Sequence, residues 1–330
     1  MDSVTRLRTA LELGTPDRPP FTWWGHTFLE EWSPTKLADI TIDRARRHGW
    51  DFVKLQPRAS CFAEAFGSEY RASGNATESP ALVSPAVKEL DDFATLPEVD
   101  AGHPAFADQV EAIRLVAAGA GVPVIQTVFS PITVAGHLIG KDPQGIVAML
   151  RSHPGIVGPA LEKIGRALVS FSTASVEAGG AGVFYAVSGY ASADLMTAEE
   201  YEALALPHDL EVIGKLPPAD AAWLNILHLC GAHLHFGLAP LFGLPVVSWS
   251  VHDAGNPTLA EGRDRAQRTA MGGLGQKTTM VHARPEGVVA EGRAALEGTG
   301  GAGVILSAGC SVAVTAPEAN LAAVREVVAA

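Results

Sequence analysis

The sequence predicts an α/β protein folded as a single (β/α)8 TIM barrel across residues 1–330. Three observations carry that expectation. Eight short apolar runs punctuate the chain, helical patterns separate them, and polar residues collect at one end of the runs. The runs are almost continuously apolar, as parallel strands buried on both faces must be. A doubly wound open sheet is the architectural alternative.

Taken in order, the runs are Pro19–Gly25, Asp51–Pro57, Gly121–Phe129, Ala181–Val187, Trp223–His228, Pro245–Ser250, a weaker one near Thr269–Gly273, and Val304–Leu306. Between the third and fourth, residues 143–150 and 156–178 form a long helical region broken around Pro154, since proline cannot continue a helix begun before it. Thr197-Ala198-Glu199-Glu200 has the form of a capping box and predicts a helix start. Pro317–Val328 closes the chain as an amphipathic helix, with Leu321, Val324 and Val328 at helical spacing. Residues 62–103 hold no buried-strand pattern and are expected to form an insertion over the barrel mouth. No linker divides the chain.

Composition narrows the function. A formal net charge of −12 offers no basic patch for nucleic acid. No apolar stretch reaches the roughly 18 residues that a membrane span needs. The chain opens Met1-Asp2-Ser3-Val4-Thr5-Arg6, polar and charged, and carries three cysteines far apart. Both features predict a cytoplasmic protein with reduced thiols. They leave the oligomeric state open.

In a TIM barrel the working residues lie at the C-terminal ends of the strands. Those ends carry His26, Lys54, Gln126, Phe129, Tyr185, His228, Cys230, His252-Asp253 and Cys310, with Trp23 beside the first. His228 and Cys230 are two residues apart, so a strand points both to one side. Cys310 ends a run of the same shape, Val304 to Cys310, and reaches the same end of a barrel. An imidazole and two thiolates suit Zn²⁺, and three protein ligands leave a fourth position open, the pattern of catalytic zinc. The alternative is a buried histidine with two inert apolar cysteines. Lys54 is read as a catalytic cation near a substrate, or as a residue reaching solvent at the rim. His252 and Asp253 are read as a pair orienting a zinc ligand, or as an ordinary turn. Trp23, His26, Gln126, Phe129 and Tyr185 are the expected substrate-binding residues.

The segments Leu227-His228-Leu229-Cys230-Gly231 and Gly303–Cys310, followed by Thr315-Ala316-Pro317-Glu318-Ala319-Asn320-Leu321, resemble the uroporphyrinogen decarboxylase superfamily. They are most similar to its zinc-dependent methyltransferase branch. The resemblance runs over most of the chain. It implies a TIM barrel whose zinc ligands are His228, Cys230 and Cys310, and methyl transfer from a corrinoid protein to a small thiol such as coenzyme M. The ligand set is also similar to the zinc site of cobalamin-independent methionine synthase.

The decarboxylase branch carries an arginine-rich signature after its first strand. Here that place reads Phe21-Thr22-Trp23-Trp24-Gly25-His26-Thr27, without arginine. Two thiolate ligands leave zinc with little net positive charge, so a bound sulfur stays nucleophilic. That favours alkyl transfer over hydrolysis. The expected protein is a zinc-dependent methyltransferase with a small thiol substrate and a methylated corrinoid, folate or small compound as donor. The rivals are a metal-independent lyase of the decarboxylase type and a non-enzymatic corrinoid- or metal-binding accessory protein.

Overall fold

A computed structural model describes residues 1–329. Among the described residues nine strands form: β1 (Val53–Leu55), β2 (Glu69–Arg71), β3 (Ala81–Ser84), β4 (Val124–Phe129), β5 (Val183–Ser188), β6 (Ile226–Leu229), β7 (Val246–Ser248), β8 (Thr269–Leu274) and β9 (Val304–Ala308). Seven of them form one parallel sheet in the order β1-β4-β5-β6-β7-β8-β9. Every neighbour in it is the next central strand along the chain, so each connection is a crossover on the same hand around a curled sheet. The central strands are buried almost throughout, which is why their sequences show no alternation.

The first apolar run, expected as a strand, forms only a single parallel bridge, Phe21 to Leu306. Its backbone nevertheless bonds on both sides. Thr22 N–H donates to the Leu306 carbonyl at 3.1 Å, Leu306 N–H to the Pro20 carbonyl at 2.9 Å, and Asp51 N–H to the Phe21 carbonyl at 3.0 Å. Pro19 and Pro20 lack the N–H groups a longer ladder would need.

The helices are α1 (Ser3–Leu11), α2 (Pro34–His48), α3 (Cys61–Glu64), α4 (Pro104–Ala120), α5 (Pro131–Leu138), α6 (Pro143–Ser152), α7 (Pro154–Glu177), α8 (Ala198–Leu204), α9 (Leu206–Ile213), α10 (Leu259–Ala266), α11 (Thr279–His282), α12 (Pro285–Glu297) and α13 (Glu318–Val328). Pro154 opens α7 at its first turn, where a missing N–H costs nothing, and so separates it from α6. Thr197 caps α8 through a reciprocal box with Glu200, as its sequence predicts. Among the described residues, no helix is long and apolar enough to cross a membrane.

Residues 62–103 contribute no strand to the central sheet. They form the exposed antiparallel pair β2-β3 and a 3-10 turn at Leu90–Thr95. Phe62, Phe66, Val87 and Phe93 anchor the segment in the core shared with α5 and α7.

Three apolar clusters hold the fold. One lies between the sheet and the helices around β4–β7, and a second between the sheet and α2, α4, α12 and α13. The third fills the concave side of the sheet, with Phe52, Ile125, Phe184, Ile226, Val246, Met271 and Ile305 from successive strands. Leu7 of α1 is fully buried in that third cluster and plugs its lower end. Arg6 ties the plug in place by donating to Asp51 at 2.6 Å and to Asp17 at 2.8 Å. The opposite end, where the strands finish, is left for polar side chains.

Candidate metal centre and its cavity

His228, Cys230 and Cys310 come together at the strand ends. One ligand atom from each lies within 4.8 Å of the other two. The thiol sulfurs are 3.6 Å apart. Two sulfurs held at ~2.3 Å by a tetrahedral ion stand about 3.8 Å apart, so this spacing needs almost no adjustment.

Local structure explains the convergence. His228 is paired in register with Ser248 of β7, and the Ser248 hydroxyl lies 3.2 Å from His228 Nδ1. That leaves Nε2 buried and, among the described residues, without a partner, as a ligand nitrogen must be before it meets its metal. Cys230 N–H donates to the Ser188 carbonyl at 3.0 Å, fixing the thiol against the end of β5. The next residue, Gly231, takes φ +100°, which turns the chain away without strain. On the other side, Gly309 packs so closely that a Cβ there would lie 2.5 Å from the Ser250 backbone. Only glycine lets the β9 loop settle deep enough to bring Cys310 to Cys230.

The electrostatics fit a metal-ligand pair. The Cys310 thiol is held well below its usual range because the Cys230 S–H and then His228 stabilise its thiolate. Cys230 is pushed up, first because it holds the hydrogen bond to Cys310 and then by burial. One proton of the pair is readily given up, and a cation would displace the other.

A cavity of about 150 Å³ opens onto the three ligands. Its walls are Trp24, Thr127, Phe129, Phe184, Ala186 and Ser188, with His26, Lys54 and Gln56 on one side and Ala59 and Ser311 at the edges. Lys54 is only 4 % exposed, and its ammonium lies 5.0 Å from the Trp24 ring centre and 4.8 Å from that of Phe184. Burial pushes its pKa down to about 7, partly offset by Cys310 and Glu31. A directed chain of hydrogen bonds leads from it. Lys54 donates to Gln56 Oε1, Gln56 Nε2 lies 3.2 Å from His26 Nε2, and His26 Nδ1 lies 2.8 Å from the buried carboxylate of Glu31. One histidine tautomer, protonated at Nδ1, satisfies every link.

The structure therefore gathers His26, Lys54, Phe129, His228, Cys230 and Cys310 at one place. It puts the other expected residues elsewhere. Trp23 is buried on the outer side of the sheet, edge-on to His48 at 4.9 Å and Trp50 at 4.8 Å. Gln126 also points outward and donates to the Gln109 carbonyl. Tyr185 faces α9, where its hydroxyl donates to Asp209 at 2.7 Å. His252 does not touch a ligand. Its Nε2 lies 3.1 Å from the Gly273 carbonyl, in a separate cavity with Glu291, and Asp253 follows it in the same turn. The group that orients His228 is Ser248.

Strand periodicity accounts for these displacements. Side chains alternate, so the inward set is Trp24 and His26, Lys54 and Gln56, Thr127 and Phe129, Phe184, Ala186 and Ser188. Trp23, Gln126 and Tyr185 each have the opposite parity. Their neighbours Trp24, Thr127 and Phe184 line the cavity instead, and the parity of His26 and Phe129 is the signal in the sequence that points to them. Glu31, buried in a 3-10 turn, has no such signal in the sequence.

Fold and site together define a parallel α/β protein with a His-Cys-Cys group that could hold a metal ion at the C-terminal ends of its strands. The chain belongs to the uroporphyrinogen decarboxylase (URO-D) family, whose pattern matches residues 24–330. It is 26% identical over 276 residues to the methylcobamide:CoM methyltransferase MtbA of Methanosarcina mazei, covering 83% of this chain and 78% of that one. The corresponding MtbA of Methanosarcina acetivorans is 25% identical over 277 residues, with the same coverage. Among solved structures, a methyltransferase from Methanosarcina mazei superposes with a TM-score of 0.81 over 99% of this chain and 98% of that one, at 20% identity. A B12-independent methionine synthase from Shewanella sp. W3-18-1 superposes at 0.62 over 95% and 93%, at 14% identity.

Proposed function

We propose that this chain is a zinc-dependent methyltransferase that moves a methyl group from a methylated corrinoid, or a related donor, to a small thiol. The observation that carries this reading is the meeting of His228, Cys230 and Cys310 around one point, with His228 Nε2 buried and unpartnered. The names of its relatives support the same reaction class. His228, Cys230 and Cys310 would hold the zinc, which would supply the Lewis acidity that favours an acceptor thiol as its thiolate.

The chain's own residues do the rest. Ser248 holds the His228 ring with Nε2 turned to the cavity. Trp24, Phe129 and Phe184 line an apolar wall that limits water around the reacting sulfur. On this reading Lys54, which lines the cavity, accepts the thiol proton. The Gln56-His26-Glu31 chain keeps Lys54 aimed into the cavity. Among the described residues no arginine lines this cavity, which removes the charge pattern a decarboxylase of polycarboxylates would use.

On this reading the Pro19–Gly25 segment is the eighth stave, bridging β9 and the residues before β1, so that residues 1–330 act as one closed barrel. Residues 62–103 would partly cover its mouth, and the methyl donor would approach past them. Unpaired cysteines fit work in a reducing cytoplasm. The test is to supply the zinc-loaded protein with a panel of small thiols and methylated corrinoid, methylated folate and simple methyl donors, and to follow thioether formation by mass spectrometry. Thioether made with at least one pair supports the reading. Metal-free decarboxylation of a porphyrinogen, without any thioether, would replace it with the lyase.

A further inference from the structure

A second, much smaller cavity of about 20 Å³ shares Trp24, Lys54 and Gln56 with the metal cavity, and α2 and Trp50 supply most of its remaining wall. Its side chains offer donors with nothing to receive them. Arg44 of α2 lines it and, among the described residues, forms no hydrogen bond and no ion pair, while burial holds its pKa below the usual guanidinium range. Trp50 is 5 % exposed, and its indole N–H, which can only donate, is buried and without an acceptor among the described residues. Lys54 spends one proton on Gln56 Oε1 and keeps the others. Among the described residues no carboxylate lines the cavity. The acids that act on Arg44 through space are engaged elsewhere or out of reach. Glu31 accepts from the Thr27 N–H and pairs with His26, Glu318 lies 3.3 Å from His48 and 3.5 Å from Arg47, and Glu30 makes no ion pair with Arg44.

A buried donor without an acceptor is costly, and a half-buried guanidinium without a counter-charge more so. Volume decides what could satisfy both. One water needs about 10–15 Å³, so the cavity admits a single particle of that size and excludes a carboxylate, sulfonate or phosphate. A water would bring two more protons to a place short of acceptors. A monatomic anion brings none and accepts from every side. Among the described residues no carboxylate lines the metal cavity either, so Lys54 meets no acid in the wall of either space.

We infer that this cavity binds one halide ion, chloride or bromide, held by the Arg44 guanidinium, the Trp50 indole N–H and Lys54 Nζ. The ion is the counter-charge that Arg44 and Lys54 share. It takes no part in bond making at the metal ligands. The site rests on the lining of this cavity alone and stands whether or not the chain transfers methyl groups.

The test uses the full chain with isotope-labelled tryptophan. The Trp50 indole signal is assigned among the 6 tryptophans with a Trp50→Phe variant. Gluconate, an anion too large for the cavity, is replaced stepwise by chloride or bromide at constant ionic strength. A saturable shift of the Trp50 indole N–H is expected, with halide affinity lowered about 10-fold or more in Arg44→Met and partly restored in Arg44→Lys. Arg44 is partly exposed on a helix, and both replacements are good helix formers, so both variants are expected to fold. Crystals of the native protein grown in bromide should show the ion by its anomalous scattering, in contact with Arg44 and Trp50 Nε1. That arm needs no variant and decides the matter even if one fails to fold. A Trp50 signal that ignores both halides overturns the site, as does equal binding in Arg44→Met. So does a water, with no anomalous signal, where the bromide should be.

Discussion

Two buried polar clusters lie on opposite faces of β5, and their chemistry diverges. Outward, Tyr185 meets Asp209, which also accepts from Tyr201 at 2.5 Å. Inward, Phe184, Ala186 and Ser188 face Lys54, His228, Cys230 and Cys310. Each cluster holds one ionisable group that burial drives towards neutrality, Asp209 up to about 7 and Lys54 down to about 7. They differ in what surrounds that group. Asp209 is fully buried, and each carboxylate oxygen takes a tyrosine hydroxyl, so the cluster is closed. Lys54 spends one proton on Gln56 and turns the rest towards a cavity, where His228 Nε2 also lacks a partner. A shifted pKa marks burial on both faces. Unfilled hydrogen-bonding capacity beside a cavity is what marks function.

The sharpest way to break this contrast is to remove a ligand. Cys230→Ala is expected to lose bound metal and methyl transfer together, to background, while Asp209→Asn keeps both. Metal analysis and thioether assay on the two variants check this. Loss of metal in Asp209→Asn would show that the outer cluster is not merely structural.

Lys54→Met is expected to lower turnover about 100-fold or more while metal content is unchanged. In the native enzyme the rate should rise with pH through about 7, as Lys54 becomes the neutral amine that can accept a proton. That limb should vanish in the variant. A persistent limb in Lys54→Met would assign the proton to another group.

Ser248→Ala removes the partner of His228 Nδ1. Metal affinity should fall about 10-fold, to be read by competition with a chelator, with the fold intact.

The smallest expected effects are on stability, and here the two faces should show opposite slopes. Lys54 is depressed from 10.5 to about 7, so between these values the unfolded chain binds more protons and native stability rises with pH. The advantage of Lys54→Met should therefore be greatest at pH 7 and below, and fade towards pH 10. It should reach a few kcal/mol, because a tenfold change in proton affinity corresponds to ~1.4 kcal/mol. Asp209 is raised from 3.8 to about 7, so between these values the native chain binds more protons and stability falls as pH rises. Asp209→Asn should gain on the native protein from pH 4 to pH 7. Denaturant melts across pH decide the matter. Parallel slopes for the two variants would contradict the comparison.

The same strand shows what a sequence reveals and what it hides. The strands themselves are legible, because burial on both faces makes them continuously apolar and loops of polar residues bound them. The first run is legible in place but not in extent, since Pro19 and Pro20 cannot sustain a ladder and leave one bridge at Phe21. The meeting of His228 and Cys230 is legible because the two share parity and a strand end fixes their direction. Tyr185, Gln126 and Trp23 are suitable residue types at strand ends, but each stands one position off the inward set. His252 follows β7 closely in the chain, whereas Ser248 stands in register with His228 and makes the bond. Glu31 and the second cavity arise from segments brought together by the fold, and spacing along the chain carries no trace of them.

The most direct test is elemental analysis of the purified protein beside its Cys310→Ser variant, both prepared with zinc present. The account predicts about one zinc per native chain and nearly none in the variant. Native protein without zinc, or equal zinc in the two, would contradict it.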